Sequence, residues 1–299
     1  MSAKFLLGKE VSAHIKEELS KKIADLKKEN IIPGLAAILV GEDPASQVYV
    51  RNKSKVFKKN HCYSETFLLK HDSTEEELLN LISTLNDDNK FHGILVQLPL
   101  PNHIDSRKVL HNVNPKKDVD GFHPYNLGSL LEGNPNFIPC TPNGIIKILE
   151  FYEIETSGKH VVVIGRSNIV GKPMFALLSQ KFKTGNSTVT ICHTGTKDIS
   201  YFTKQADIVI AAVGVPEMLT GDMIKEDACL IDVGINSIED PTKSSGTRLV
   251  GDVAFEEAKA KASFITPVPG GVGPMTIAML MVNTVNAARL QNGISELKI

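Results

Sequence analysis

Apolar residues along this chain recur in two patterns that alternate from one end to the other. Short runs of aliphatic and β-branched residues are typical of buried parallel strands. Between them lie stretches in which apolar residues return every three or four positions, as on one face of a helix. Residues 9–29 show the helical pattern and residues 34–41 show the strand pattern. The alternation predicts an α/β protein built on parallel sheets.

The first series of elements precedes a loop-rich stretch in the middle of the chain. After the strand at 34–41, Asp43 and Pro44 provide the cap and the first position of a helix. Residues 114–141 are rich in Asn, Pro and Gly and are predicted to be a loop-rich interdomain segment. Further predicted elements of this first series are a strand at 62–69, a helix with capping residues from Ser73, and a strand at 93–99.

A second α/β series follows, and with it the chain is predicted to form two α/β domains with a cleft between them. Residues 1–120, together with a C-terminal helix at 275–299, form the first domain, and residues 121–274 form a Rossmann-like second domain. The predicted strands lie at 160–164, 187–192, 207–213, 228–233 and 263–267, and the helices lie near 142–153, 172–182 and 255–262, with a last helix from after Pro274 to about Leu290.

The turn between Gly165 and Gly171 is the first candidate for a binding site. It follows a β-branched run, and Pro173 stands where the first turn of a helix is expected. A strand, a tight turn and a helix N-terminus gather backbone N–H groups that hold the pyrophosphate of a dinucleotide. The match to G-x-G-x-x-G is imperfect because Arg166 and Ser167 replace part of the motif. An ordinary βα turn that needs glycine is the alternative.

The residues near this turn favour NADP over NAD. In dinucleotide-binding folds, a carboxylate at the end of the second strand accepts a hydrogen bond from the ribose 2′-OH. Here the second strand ends in His193 and Thr194, with no carboxylate at that corner. The guanidinium of Arg166 can pair with a 2′-phosphate, and Thr194 can donate to it. For His193, a strand-end position without a special role is an equally open interpretation.

The first domain contains a separate group of candidate catalytic residues. Tyr49 and Lys53 are four residues apart on a predicted helix and therefore share a face. A solvated surface pair shows the same spacing and is the alternative interpretation. Short-chain dehydrogenases use Tyr-x-x-x-Lys, but there the pair follows the nucleotide-binding fold, whereas here it precedes Gly165. Gln97 favours a site, because an amide at the carboxyl end of a buried strand needs partners. Asp120 lies in the interdomain loop, where capping is the alternative.

Composition excludes several classes of partner. The 299-residue chain has a net charge of −1 and 42% hydrophobic residues, so neither nucleic acid nor a membrane is an expected partner. The four cysteines lack a C-x-x-C spacing, which is typical of a protein in a reducing compartment. The nine histidines show no ligand spacing, and no metal is expected. We therefore expect a cytoplasmic enzyme or binding protein.

Six segments of the chain together resemble a known family. They are residues 49–53, 96–101, 117–121, 139–142, 165–171 and 267–274. Their order is that of the bifunctional methylenetetrahydrofolate dehydrogenase/methenyltetrahydrofolate cyclohydrolases, and the resemblance extends over essentially the whole chain. It implies NADP-dependent oxidation of 5,10-methylenetetrahydrofolate to 5,10-methenyltetrahydrofolate, followed by hydrolysis to 10-formyltetrahydrofolate. It also implies a role in one-carbon metabolism and purine biosynthesis, and a homodimer.

The resemblance further implies roles for individual residues. Lys53 would be the central catalytic residue and Tyr49 would stack on the folate. Gln97 would donate a hydrogen bond to Lys53 and help to lower its pKa, and Asp120 would anchor the pterin ring. These four form the implied catalytic set. Other implied folate contacts are Val96, Leu98, Pro269, Gly270, Gly273 and Ile277, and the implied NADP contacts are Thr141, Gly165, Arg166, Ser167, His193, Thr194 and Ile235.

Two other classes of protein stay open on the residues alone. One is an NAD(P)-dependent dehydrogenase of another small substrate, such as an amino acid. A comparison of methylenetetrahydrofolate with a panel of amino acids as substrates would distinguish it. The other is a non-catalytic dinucleotide-binding protein, against which the presence of Tyr49, Lys53 and Gln97 argues.

Overall fold

The computed structural model describes residues 3–243 and 246–297, and the chain divides into two compact units. The six-strand unit contains the residues up to Ala13 together with Thr141–Thr276. The three-strand unit contains His14–Cys140 and the residues from Ile277 onward. The chain thus passes between units after residues 13, 140 and 276, whereas the sequence places domain limits after 120 and 274.

The helices and strands follow one another in chain order as follows. They are β1 (Lys4–Phe5), α1 (Gly8–Lys28), β2 (Gly34–Val40), α2 (Pro44–Lys59), β3 (Tyr63–Leu69), α3 (Glu75–Asp87), β4 (Gly93–Val96), α4 (Ser106–Asn112), α5 (Pro124–Glu132), α6 (Cys140–Phe151), β5 (His160–Ile164), α7 (Gly171–Ser179), β6 (Thr188–Cys192), α8 (Ile199–Thr203), β7 (Ile208–Ala211), β8 (Cys229–Asp232), β9 (Asn236–Glu239), β10 (Thr247–Val250), α9 (Phe255–Lys259), β11 (Phe264–Ile265) and α10 (Gly273–Gln291).

The three-strand unit is built on a parallel sheet with the order β3-β2-β4. Every residue of the central strand β2 is buried, which agrees with its uninterrupted apolar sequence. The predicted cap of α2 is confirmed, since the Asp43 carboxylate accepts from the Ser46 backbone N–H at 2.7 Å. Helix α3 begins with a capping box formed by Thr74 and Glu77. Local sequence thus determines where these helices start.

The loop-rich stretch predicted at 114–141 also contains a helix. Helix α5 lies within it, with a proline at its first position and Gly133 in the left-handed conformation after its end. Buried Asp118 accepts from the backbone N–H groups of Phe122 at 3.2 Å and His123 at 2.8 Å, and so holds the turn that precedes this helix. The helix was not predicted, because the same Asn, Pro and Gly residues that suggest a loop also delimit a short helix.

The six-strand unit contains a parallel sheet with the order β1-β11-β8-β7-β5-β6. Strand β5 lies between β6 and β7, so the strand order reverses there. In open α/β sheets, ligands bind beyond the carboxyl ends of the strands at such a reversal. The predicted α/β class with a Rossmann-like second domain is confirmed. An antiparallel hairpin of β9 and β10 was not predicted, because its alternating residues are largely exposed.

Within residues 3–243 and 246–297, no helix combines the length and the apolar character needed to cross a membrane.

Candidate active site

Lys53 is a buried lysine at the carboxyl end of the three-stranded sheet. It lies in α2, and only 4% of the residue is exposed. Its Nζ atom donates to Oε1 of Gln97 at 3.2 Å. Gln97 directly follows β4, and its backbone N–H donates to the Ile38 carbonyl at 2.9 Å, which extends the pairing with β2. The sheet therefore fixes the amide that holds the lysine.

The hydrogen bond between these two side chains runs opposite to the expected direction. The Nε2 atom of Gln97 donates to the Leu98 carbonyl at 2.8 Å, which turns Oε1 towards Lys53. The expectation that Gln97 donates to Lys53 was wrong, because its N–H₂ group is engaged by the backbone. An amide oxygen that accepts from an ammonium favours the charged form. Gln97 thus orients Lys53, and another cause must lower its pKa.

That cause is burial, and one acidic neighbour opposes it. Desolvation lowers the pKa of Lys53, while the charge of Asp120 favours the charged form of the lysine. Burial also raises the pKa of Asp120 to about 6, against the opposing charge of Lys53. These opposite shifts bring the pKa values of the lysine and the carboxyl group closer together, which favours proton exchange. The cluster of Lys53, Gln97 and Asp120 is therefore suited to acid–base chemistry.

Cys140 is a member of this cluster that the residue types alone do not reveal. Its thiol is buried and donates to the Val119 carbonyl at 3.3 Å. Burial and the neighbouring carboxylate of Asp120 raise the pKa of the thiol well above its usual value, so it stays neutral. The side chain of Asn283, in α10, donates to the same Val119 carbonyl at 2.8 Å. Only the position of Cys140 within the segment at 139–142 pointed to it in advance.

Tyr49 belongs to α2, four residues before Lys53. Its side chain lies outside the described residues, so its stacking on folate stays a prediction.

The turn after β5 has two positions that only glycine fits. Gly165 has φ of +119°, and a Cβ there would lie 2.2 Å from the Ala212 carbonyl oxygen. A Cβ on Gly171 would lie 2.2 Å from the Gly165 carbonyl oxygen. Oγ of Ser167 accepts from the backbone N–H groups of Val170 at 3.1 Å and Gly171 at 3.4 Å. Both glycines thus have a structural role, and the Ser167 hydroxyl satisfies two backbone N–H groups at the start of α7.

Arg166, His193 and Thr194 lie at the same edge of the six-stranded sheet as this turn. Arg166 and Thr194 are exposed, at the ends of the adjacent strands β5 and β6. His193 shapes the turn after β6, because its Nδ1 atom accepts from the Gly195 N–H at 3.0 Å and its own N–H donates to Oγ1 of Thr196 at 3.0 Å. His193 therefore has a local structural role, whichever ligand binds.

Four of the remaining predicted contacts, Ile235, Pro269, Gly270 and Gly273, line one pocket in the six-strand unit. Ile235 is 60% exposed, and together with the segment at 267–274 it lines a pocket of about 150 Å³. The hydroxyl groups of Thr141 and Thr276 lie 2.9 Å apart. The predicted site residues of this unit are Thr141, Gly165, Arg166, Ser167, His193, Thr194, Ile235, Pro269, Gly270 and Gly273, and those of the three-strand unit are Tyr49, Lys53, Val96, Gln97, Leu98, Asp120 and Ile277.

A strand-order reversal with a glycine turn and a lysine-centred acid–base cluster define an NAD(P)-dependent oxidoreductase with a second, proton-transferring function. Two domain families match this chain. The tetrahydrofolate dehydrogenase/cyclohydrolase catalytic domain matches residues 6–120. The NAD(P)-binding domain of the same enzymes matches residues 139–292. The chain belongs to the tetrahydrofolate dehydrogenase/cyclohydrolase family.

Individual relatives agree along nearly the full length of the chain. The bifunctional protein FolD of Chlorobium phaeobacteroides (strain BS1) is 58% identical over 283 residues, which cover 94% of this chain and 95% of the relative. A crystal structure of bifunctional FolD from Campylobacter jejuni is 50% identical with a TM-score of 0.91, covering 97% of this chain and 100% of the other. FolD of Trypanosoma brucei, solved with NADP cofactor and an inhibitor, is 38% identical with a TM-score of 0.92 and covers 98% and 99%.

The bifunctional activity implied by the six segments is therefore confirmed. The chain is an enzyme with dehydrogenase and cyclohydrolase activities towards tetrahydrofolate derivatives, and the alternative of an amino-acid dehydrogenase is not favoured.

Proposed function

We propose that Lys53 is the proton-transferring residue with which this enzyme converts 5,10-methenyltetrahydrofolate to 10-formyltetrahydrofolate, after NADP-dependent oxidation of 5,10-methylenetetrahydrofolate. The observation that carries the proposal is the buried Nζ atom of Lys53, held by Oε1 of Gln97 at 3.2 Å and facing the charge of Asp120. Lys53, Gln97 and Asp120 belong to the three-strand unit, and the proposed NADP contacts belong to the six-strand unit.

The residues around the glycine turn fit a phosphorylated dinucleotide. The turn lies at the strand-order reversal, and exposed Arg166 follows Gly165 directly. Residues 193–197 after β6 include no Asp or Glu that would repel a 2′-phosphate. Arg166 and Thr194 would hold that phosphate, with Ser167, Thr141 and His193 as further contacts. Bound NADP would accept the hydride.

Oxidation requires mainly positioning from the protein. Loss of a hydride from the N–CH₂–N bridge of the folate leaves a resonance-stabilised cation, and no proton needs to move. Holding the bridge against the nicotinamide therefore supplies much of the catalysis. Tyr49 is proposed to stack on the folate, and Val96, Leu98 and Ile277 to line its site. The segment at 267–274 would contribute Pro269, Gly270 and Gly273.

Hydrolysis, in contrast, requires proton transfer. Water adds to the cation while neutral Lys53 removes one of its protons. Lys53 then donates that proton to the ring nitrogen as its bond to carbon breaks, and the hydroxyl proton is released as the formyl carbonyl forms. A lysine can do this only if its pKa is lowered. Burial acts in that direction, and the positive charge of the bound intermediate adds to it.

Asp120 and Gln97 have different proposed roles beside Lys53. With its pKa raised to about 6, Asp120 is largely ionised at neutral pH and can accept hydrogen bonds from the N–H groups of the pterin ring. Gln97 orients the lysine and so acts through it.

Cellular context and assembly are also part of the proposal. All four cysteines are free and buried, which supports a reducing compartment and hence the cytoplasm. We place the enzyme there as a homodimer that supplies one-carbon units for purine biosynthesis.

The replacement Lys53→Met tests the proposal, with Lys55→Met on the exposed side of the same helix as its control. Hydrolysis of 5,10-methenyltetrahydrofolate is expected to fall by about 100-fold or more in Lys53→Met, which is the range of general acid–base catalysis. It should stay near the wild-type rate in Lys55→Met. Hydrolysis at a near wild-type rate in Lys53→Met would refute the role of this lysine.

A further inference from the structure

Two buried carboxylates lie side by side in the six-strand unit, and the proposed reaction uses neither. Asp232 is the last residue of β8 and is 2% exposed, and Asp252 lies two residues after β10 and is fully buried at 0%. The Asp252 backbone N–H donates to Oδ1 of Asp232 at 2.8 Å. The pair thus connects β8 with the segment that follows the β9–β10 hairpin.

The carboxylate of Asp252 ties two separate segments together. Its Oδ2 atom accepts from the backbone N–H groups of Val213 at 2.7 Å and Gly214 at 3.0 Å, just after β7. Its Oδ1 atom accepts from Nδ2 of Asn236 at 2.9 Å. Asn236 directly follows Ile235, which lines the pocket described above. One carboxylate therefore fixes the distance between the loop after β7 and the segment that carries Ile235.

Asp232 also forms hydrogen bonds to the segments around this pocket. Its two oxygens accept from three backbone N–H groups, including those of Gly234 at 3.0 Å and Asp252 at 2.8 Å. Its own N–H donates to Oγ1 of Thr266 at 2.7 Å, and Thr266 immediately precedes the segment at 267–274. Both walls of the pocket are thus attached to the carboxylate pair.

The packing around the pair leaves no spare room. A Cβ on Gly234 would lie 2.3 Å from Oδ1 of Asp252, and a Cβ on Gly251 would lie 1.7 Å from Oδ2 of Asp232. Burial raises the pKa of Asp232 to about 6, so its charge is disfavoured in the folded protein. The hydrogen-bond donors described for both side chains are backbone N–H groups and one amide. Buried charges without a cationic partner are costly for stability. This cost favours a role for the carboxylate pair beyond packing.

We propose that Asp252, supported by Asp232, is a positioning residue for the nicotinamide half of the cofactor. Strands β7 and β8 lie on the side of β5 away from β6. In a dinucleotide-binding sheet, the nucleotide beyond the pyrophosphate occupies that side of the strand-order reversal. The inference rests on the proposed function, because it takes the Gly165 turn as the pyrophosphate site. Asp252 sets the loop of Val213 and Gly214 against Ile235, so that the site is formed before the cofactor arrives.

Two replacements of Asp252 separate geometry from charge. Asp252→Ala leaves the two N–H groups of Val213 and Gly214 without an acceptor, so this loop must move to satisfy them. In Asp252→Asn the carboxamide oxygen can still accept from both groups. The N–H₂ group of the new asparagine can donate to the side-chain oxygen Oδ1 of Asn236 once the Asn236 amide has rotated. Asn should therefore preserve most of the positioning, although it carries no charge.

The experiment uses the fact that hydrolysis of 5,10-methenyltetrahydrofolate needs no dinucleotide. NADP affinity is measured by calorimetry alongside dehydrogenase kcat and KM for NADP and the cofactor-free rate of hydrolysis. Asp252→Ala should weaken NADP binding about tenfold or more, which corresponds to about 1.4 kcal/mol, while hydrolysis stays within about twofold of wild type. Asp252→Asn should recover most of the affinity.

Asp207→Ala is the matched control. This carboxylate precedes β7 at the opposite end of the strand, where it accepts from the His160 N–H at 2.9 Å and from Nζ of Lys225 at 2.6 Å. Its loss should reduce stability without changing NADP affinity. A similar loss of NADP affinity in this variant would show that general destabilisation explains the effect and would overturn the proposal.

Other outcomes would also overturn it. These are wild-type NADP affinity in Asp252→Ala, a parallel loss of hydrolysis, or an Asn variant as weak as the Ala variant. If Asp252→Ala does not fold, Asn236→Ala takes its place, with a loss of about threefold or more expected and unchanged affinity as the contrary result. A wild-type enzyme that does not bind NADP would instead refute the proposed function itself.

Discussion

Replacing Gln97 by Ala tests how the small sheet controls the catalytic lysine. The change removes the oxygen that accepts from Nζ of Lys53 and leaves a buried ammonium with one acceptor fewer. Hydrogen bonds to charged groups contribute about 1.5–3 kcal/mol. Because the distance of 3.2 Å is long for a charge-assisted bond, we take the lower end of that range. This corresponds to a loss of about tenfold in the rate of hydrolysis.

The direction of the accompanying pH effect follows from the direction of the hydrogen bond. The amide oxygen of Gln97 favours the charged lysine, so its removal should lower the pKa of Lys53 further. The neutral base is then present at lower pH, and the acid limb of the pH–rate profile of hydrolysis should move towards lower pH. If Gln97 donated to the lysine instead, the limb would move towards higher pH.

The assay is the decay of 5,10-methenyltetrahydrofolate followed across pH in Gln97→Ala and wild type. Gln205→Ala, an exposed glutamine whose Nε2 atom donates to the Tyr201 carbonyl at 2.6 Å, serves as the control and should leave the profile unchanged. An acid limb that moves towards higher pH in Gln97→Ala, or a wild-type rate, would refute the proposed orientation of the Lys53–Gln97 pair.

Four further predictions address the cofactor site and stability. Arg166→Ala should reduce the preference for NADP over NAD about tenfold or more in kcat/KM, and an unchanged preference would remove Arg166 from the phosphate site. Gly171→Ala places a Cβ 2.2 Å from a carbonyl oxygen and should lower both Tm and NADP affinity. The control Gly128→Ala, with open space around its position in α5, should leave Tm and NADP affinity unchanged. Phe57→Ala removes a fully buried ring and should cost about 3–5 kcal/mol in denaturant unfolding. Burial raises the pKa of Asp120 to about 6, so ionisation of this carboxyl group lowers the stability of the fold as pH rises from about 4 towards 6. Asp120→Asn should therefore raise Tm more at pH 8 than at pH 5. Equal gains in Tm at both pH values would contradict this.

Local sequence predicted the parts of this fold that depend on neighbouring residues. The buried strand at 34–40 is uninterrupted and apolar, and Asp43 acts within its own turn. Helix α5 and the β9–β10 hairpin were missed for the opposite reason. Helix α5 is only nine residues long and lies in a stretch rich in Asn, Pro and Gly. The hairpin strands are short and largely exposed, so periodicity gives little indication of either element.

The site was predicted less completely than the fold, because contacts between distant segments decide its chemistry. The sequence placed Lys53 and Gln97 in one site, but burial and the backbone carbonyl of Leu98 determine which atom donates. Asp252 could not be predicted, because its partners Val213 and Gly214 are almost forty residues away. Cys140 was recognisable only as part of a family segment.

The central claim is that Lys53 transfers protons because burial lowers its pKa, and titration of its side chain tests this most directly. NMR of protein carrying ¹³C-labelled lysine, with Lys53→Met to assign the resonance, would follow the charge of Nζ across pH. We predict that Lys53 titrates below the exposed lysines, at the same pH as the acid limb of hydrolysis. A resonance that titrates together with the exposed lysines would contradict the claim.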